Sequence, residues 1–433
     1  MQEIINILNI ISNKIWIFTS VLVIYIGIYF TIKLKGIQLD IPEMIKALLK
    51  KEKSNNGLNP FNTLMLSLAG RIGVGSIAGI ALSIYLSGPG TIFWIWLIAL
   101  ISAPLTYAET YLGNKYKEKE KDNSLVGGPS FYIKKGLNNN KLARIYAIII
   151  IICYIVGFIS IQSNTITKSI TTIIKINPLI IGIILSTITI ISIFGGIKKI
   201  SKVTSKIVPL MSIIYIGISI YIIIVNRSLI TNIMKSIYYE AFNIKSFTTS
   251  FLPTLITGIQ RGIFSNEAGI GTGAIASSSG NTNNPDESGF VQMLGTYITT
   301  FIICTSTAII ILTSNYKIIS ISDPNGIELA SNALYYHLGN PGITILLILI
   351  FLFAFSTILS GYYYGETSIR FLSSKEKKAS IIILKLLTII IIFIASLLPS
   401  TLIWKFTDIF IAILCLINIY SIYKLRKEIK KDN

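Results

Sequence analysis

Apolar residues recur along this chain in stretches of about 17 to 25, the length at which a helix crosses roughly 30 Å of hydrocarbon. They fall at 60–86, 91–114, 143–168, 178–194, 204–226, 250–278, 288–313, 341–370, 379–397 and 402–422, after a leading stretch from Ile15 to Ile32. Inside a bilayer every backbone N–H and C=O must find its partner within the protein, so such stretches are helices. The expected class is therefore an all-α polytopic membrane protein of eleven spans. A mean hydropathy of +0.70 and a charged fraction of 13% agree. The leader has little positive charge before it and no small-residue cleavage site, so it is expected to stay as a helix.

The net charge of +19 invites a nucleic-acid reading, but its distribution argues for topology. Of the 38 Lys and Arg, 27 fall in alternate loops: Lys33–Lys53, Lys115–Arg144, Lys198–Lys206, Arg370–Lys378 and the tail from Lys424. That alternation is the positive-inside pattern. It predicts a multi-pass protein of the cell (inner) membrane with its N-terminus outside, its C-terminus cytoplasmic, anionic lipid as neighbour and no nucleic-acid partner. Between the leader and the next span, IPEMIKALLK carries Met44, Ile45, Leu48 and Leu49 on one side and reads as a helix lying on the membrane surface. Cys153, Cys304 and Cys415 sit within spans as small apolar side chains, and His337 stands alone in a predicted outer loop.

Two spans are interrupted. The first after the leader holds Gly70, Arg71, Gly73, Gly75, Ser76 and Gly79 at its middle, and the sixth holds Gly271-Thr272-Gly273. Glycine costs about 1 kcal/mol relative to alanine inside a helix, so clustered glycines predict local unwinding. Unwound backbone at membrane depth lines a cavity or is buried in protein; its carbonyls can face a cation and the next half-helix N-terminus a carboxylate. Without the leader the ten spans split into two fives of opposite orientation, the inverted-repeat plan of many secondary transporters. The organisation expected is 1–58 for leader and surface helix, 59–226 for the first repeat, 250–422 for the second, and 423–433 for a basic tail. Small-residue helix packing explains glycines without any ligand, but Arg71, Ser76, Ser265, Asn266 and Glu267 within the breaks are costly at depth and favour a site.

The segments GRIGVGSIAGIALSI, GPGTIFWIW, VGGPSFYI (126–133), RGIFSNEAGIG (261–271) and FAFSTIL with YYGE (353–366) resemble the alanine or glycine:cation symporter family over nearly the whole chain. The resemblance implies the 5+5 inverted-repeat amino-acid/cation symporter fold, with one extra N-terminal transmembrane helix here. It also implies a sodium ion held by the hydroxyls of Ser356 and Thr357 and the carbonyls of Ala69, Ile72 and Phe353. On their own, Ser and Thr in an apolar helix bond back to a carbonyl one turn earlier. Two departures stand out. Ser76 occupies the place of a usual Asn, and Gly361 that of a usual Trp, which should enlarge the pocket.

Substrate contacts are expected from Gly73, Gly75 and Ser76 to a carboxylate, and from Ser265, Asn266, Glu267 and Gly269 to an ammonium, with Gly361 at the pocket wall. Gln162 and Asn164 offer amides that either hold a zwitterion or bond between helices. Arg261 is expected to pair with one of Glu109, Glu267 or Glu366. Arg71 either replaces the cation or points away from it towards a Glu, and the second is the expectation adopted. The reading is sodium-coupled symport of a small neutral amino acid, alanine or glycine in type, by alternating access, with no enzyme activity and no cofactor. The rivals are a proton-coupled or cation-independent transporter of the same fold, with Arg71 in the sodium position, and a channel.

Overall fold

A computed structural model describes residues 2–50, 57–243, 251–282, 284–314, 316, 326–373 and 377–431. The ends of several expected segments, among them residue 250, 51–56 and 432–433, lie outside these. In chain order, α1 (Gln2–Lys33) is the leader and α2 (Ile41–Leu49) the surface helix. Then follow α3 (Pro60–Arg71), α4 (Ala78–Ser87), α5 (Thr91–Lys115), a small hairpin of β1 (Glu118–Lys119) and β2 (Leu125–Val126), α6 (Pro129–Gly136), α7 (Asn140–Ile151), α8 (Ile159–Ile173), α9 (Pro178–Ile193) and α10 (Gly196–Val225). After α11 (Arg227–Ala241) come α12 (Leu252–Asn266), α13 (Thr272–Ser278), α14 (Pro285–Tyr297), α15 (Thr305–Leu312), α16 (Ile327–Leu338), α17 (Asn340–Leu372), α18 (Lys377–Ala395) and α19 (Ser400–Lys424).

Two spans are continuous only through a wide π turn. Ile152–Phe158 joins α7 to α8, and Ile298–Cys304 joins α14 to α15. Such turns gather at functional sites. Among the described residues, counting each joined pair as one, eight helices are long and apolar enough to cross a membrane, and α3 with Val74–Ser87 makes a ninth bent by 64°. The 16 residues of α9 reach about 24 Å at 1.5 Å each. With α12 and α13, separated by Glu267–Gly271, these account for the eleven expected crossings.

Local signals explain where the elements begin. Asn59, Asn177 and Asn284 each cap a helix with a side-chain oxygen, and each is followed by a proline at the first helical position. The basic stretch Lys198–Lys206 belongs to the first turns of α10 rather than to a loop, and His337 is on α16, where its Nε2 lies 3.0 Å from Thr313 Oγ1. Of the surface helix, Met44 is buried while Ile45 and Leu49 stay exposed.

On the face carrying the basic segments, ion pairs join parts remote in sequence: Arg370 to Asp122 at 3.1 Å, Lys377 to Glu120 at 2.5 Å, Lys115 to Glu428 and Lys431 to Asp40 both at 2.8 Å, and Lys50 to Glu287. The ends assigned to one side by the charge pattern thus do meet on one side.

Candidate functional site

The first break begins where α3 ends at Ile72, whose N–H reaches Leu68 O at 2.7 Å. Gly73 is then extended, Val74–Ser76 form one tight turn, and α4 starts at Ala78. In the second break, Glu267, Gly269 and Gly271 have φ of 55°, 78° and 104°. Only glycine adopts such values freely, so Glu267 is held there by its contacts. Its two oxygens accept hydrogen bonds from Tyr154 Oη at 2.8 Å and Thr272 Oγ1 at 2.7 Å.

The two breaks touch. Ser76 Oγ lies 2.9 Å from Ser265 Oγ, which in turn lies 3.1 Å from Cys304 Sγ beside the second π turn. Thr307 Oγ1 donates to Ser76 O at 2.8 Å, and Val74 N–H donates to Gln162 Oε1 at 3.1 Å. A side chain at Gly75 would run into the ring of Phe264. That ring is stacked between Phe158 and Trp404, with centroids 5.0 and 5.1 Å away, and Tyr154 continues the stack at 4.5 Å from Phe158. Arg261 covers Phe264 and Trp404, its guanidinium carbon 5.4 and 5.2 Å from their centroids. The break is thus roofed by aromatic rings, with a cation against them.

Oxygens gather on the other side of the first break. Thr357 Oγ1 lies 2.8 Å from Ala69 O and 2.9 Å from Phe353 O, and Ser356 Oγ lies 2.9 Å from the same Phe353 O. The missing side chain of Gly73 leaves the space that Thr357 Oγ1 uses. All are buried. This is a hard, all-oxygen donor set of the kind that suits a small monovalent cation.

Of the expected substrate residues, Gly73, Gly75, Ser76, Gln162 and Ser265 are brought together. Asn266 turns its Oδ1 to Ala268 N–H at 2.9 Å, and Gly269 O is taken by Asn418 Nδ2 at 3.0 Å. Gly361 faces Tyr154 and Ile159, with ordinary contact distances of 3.6 and 3.7 Å for an added Cβ. Asn164 serves helix packing, bonding Ala395 O at 2.9 Å and Leu398 O at 2.7 Å.

Two charge assignments need correction. Arg261 pairs with Asp408 at 2.8 Å rather than with Glu109, Glu267 or Glu366, and Glu366 pairs with Arg370 at 2.8 Å. The reason is geometric: the one acid of α19 lies across from α12 at the level of the aromatic roof. Arg71 donates to Gln292 O at 2.9 Å, with Glu109 beside its guanidinium but no hydrogen bond between the two. Glycines 273 and 295 make room for its guanidinium, and an added Cβ on either would lie 2.6 Å from it. Sequence reasoning also missed Tyr154, Phe158, Phe264, Trp404 and Cys304 as walls of the site. Aromatic residues in apolar spans carry no local signal, although a lone Asp in the span 402–422 was readable as a residue in need of a partner.

The overall fold is shared with solved structures. A crystal structure of MhsT with L-phenylalanine superposes with a TM-score of 0.65 at 14% identity, covering 84% of this chain and 89% of that one. A substrate-bound Na+-coupled sialic acid symporter gives 0.58 at 14%, covering 90% and 82%. These likenesses establish the 5+5 inverted-repeat fold. The sequence profile of the sodium:alanine symporter family matches residues 1–432. The chain belongs to the sodium:alanine symporter family. Among its relatives, the amino-acid carrier protein AlsT of Bacillus subtilis is 34% identical over 99% of this chain and 92% of its own length. The probable sodium/glutamine symporter GlnT of the same organism is 35% identical over 99% and 90%, and the sodium/alanine symporter AgcS of Methanococcus maripaludis 31% over 86% and 84%. As a member of this family the protein is a membrane transporter and not an enzyme.

Proposed function

We propose that this family member couples the entry of one small neutral amino acid to sodium by alternating access. The supporting observation is the cluster of Ala69 O, Phe353 O and Thr357 Oγ1 between the first broken helix and α17. With Ser356 Oγ and the Ile72 carbonyl at the end of α3, it supplies oxygens only. Thr357 has a single hydroxyl proton, so a bound ion needs only a rotation that turns a lone pair inward. Sodium there bridges α3 to α17, and so stabilises the arrangement in which the two breaks touch. A substrate carboxylate then meets the backbone amides of Gly73–Ser76, and its ammonium the Ser265 region. Entry of the amino acid separates the Ser76–Ser265 contact. Two clefts lie apart from the site: one of about 350 Å³ lined by Asn62, Ser124, Lys198 and Lys202, the other of about 180 Å³ lined by Ser169, Asn332 and Leu346.

The position of Arg71 bears on the sodium-independent rival. Its guanidinium donates to Gln292 O and lies between Gly273 and Gly295 of α13 and α14, which argues against its standing in for the ion. Thr357→Ala is expected to raise the sodium concentration for half-maximal uptake roughly tenfold, the loss of one ligand worth about 1.4 kcal/mol, with Ser356→Ala milder. Uptake by both variants that follows sodium as wild type does would remove these hydroxyls from the ion site. Equal wild-type uptake in sodium-free buffer would sink the coupling.

Substrate size is read from Ser76 and Gly361, both small. Gly361→Trp presses on Tyr154 and Ile159, narrows the space beside the second break, and should disfavour larger neutral amino acids against alanine and glycine. Competition among neutral amino acids for uptake measures this, and a ranking identical to wild type would detach position 361 from the pocket.

A further inference from the structure

Beneath the two breaks, on the side of α13 and α14, lies a group of charged side chains apart from the proposed ion ligands. Arg71, Glu109 and Glu267 are buried, at 2%, 0% and 0% exposure. Arg71 gives one N–H to Gln292 O, while its Nε and Nη2 have no partner. Glu109 accepts from Asn418 Nδ2 at 3.0 Å through Oε2, and its Oε1 has no partner. The Gly271 amide lies near Glu109 without a hydrogen bond of normal geometry. Gln292 Oε1 is likewise unpartnered. These orphans converge: an added Cβ on Gly273 would lie 2.6 Å from Arg71 Nη2, 3.2 Å from Glu109 Oε1 and 3.7 Å from Gln292 Oε1.

The charges do not balance. Arg261 with Asp408 is self-neutral. What remains is one guanidinium against two carboxylates, and an uncompensated buried charge is costly. Glu267 is suited to stay ionised, because both its oxygens receive hydroxyl donors. Glu109 is not, because one oxygen receives nothing and faces a second bare acceptor on Gln292. A proton on Glu109 Oε1 removes the excess charge and gives the bare acceptor Gln292 Oε1 a donor.

We propose that Glu109 is a proton-binding site, occupied while the two breaks touch, which loads and releases one proton as the half-helices α3 and α13 part from α5. The other groups facing it are Arg71 from α3, Glu267 from the second break, Tyr132 from α6, Tyr146 from α7 and Cys415 from α19. Asp286, at the start of α14, is held by Tyr107 on α5. A polar seam leads from Glu109 along α5 towards the basic face: Asn114 donates to Ser277 Oγ at 3.1 Å, and Lys117 to Gly280 O at 3.0 Å. The step is a simple protonation, an O–H bond made with a proton from water at that face. This rests on the coupled-transport reading given above, and extends it to a second coupling ion.

The test is difference infrared spectroscopy of the purified full-length protein across a pH titration, with amino-acid uptake into proteoliposomes at the same pH values. Wild type is expected to show a protonated-carboxyl band at neutral pH that is lost in Glu109→Gln and kept in Glu267→Gln, and the pH dependence of uptake should flatten in Glu109→Gln. Absence of the band from folded wild type overturns the proposal whatever the variants do, as does a band that survives in folded Glu109→Gln. If Glu109→Gln does not fold, loss of the band from Glu267→Gln overturns it and a shifted band in Glu109→Asp supports it. A wild type that keeps the band but shows no sodium-driven uptake sinks the transport reading alone.

Discussion

Asp408→Ala is expected to destabilise the protein by about 3–5 kcal/mol, the usual effect of removing one partner from a buried ion pair. It strands Arg261, 6% exposed, whose Nη1 already has no partner, against Phe264 and Trp404. Thermal unfolding in detergent would show the loss. The double replacement Arg261→Met with Asp408→Leu is expected to recover most of the stability, because it removes the stranded charge along with its partner, but not the transport, because the roof over Gly75 then lacks its cation. Asp408→Ala with wild-type stability would show that Arg261 finds water or another acceptor.

Gly73→Ala is expected to cut sodium-driven uptake roughly ten- to hundredfold, through about 1–3 kcal/mol of overpacking at the ion site. The added methyl would overlap Thr357 Oγ1 and sit 3.3 Å from Gln162 Oε1, so it displaces the hydroxyl and strains the bond that fixes the turn at Val74. Gly217, whose Cβ would meet nothing within 4 Å, is the control: Ala there should transport as wild type. Sodium titration of uptake separates the two. Equal sodium dependence in Gly73→Ala would mean that the ion does not use Thr357.

How much could be read beforehand follows from what kind of signal each feature carries. Span length and glycine clusters are local, so the crossings and both breaks were readable, and Asn-Pro pairs at 59, 177 and 284 marked helix starts through a cap and a fixed φ. The π turns at Ile152–Phe158 and Ile298–Cys304 were not, since an extra residue in a wide turn changes no composition. Pairings across long sequence distance were the weakest. Arg261 meets Asp408 across 147 positions, and only the assembled bundle decides which buried acid it reaches. Gln162 and Asn164, two residues apart on one helix, look alike in sequence, yet one fixes the first break and the other closes a packing contact with the end of α18.

The ion pairs on the basic face bear on how such a transporter must be assayed. Each is partly exposed and contributes at most about 1 kcal/mol, but together they fasten the hairpin at β1 and β2, the end of α17, the start of α18 and the tail. Electrolyte shortens the reach of charges from about 30 Å at 0.01 M to about 3 Å at 1 M, so added salt of any kind loosens this fastening. Ionic strength is therefore a second variable in every sodium titration. Replacing sodium chloride by sugar would change two things at once, whereas an equal concentration of choline chloride changes only the ion that binds.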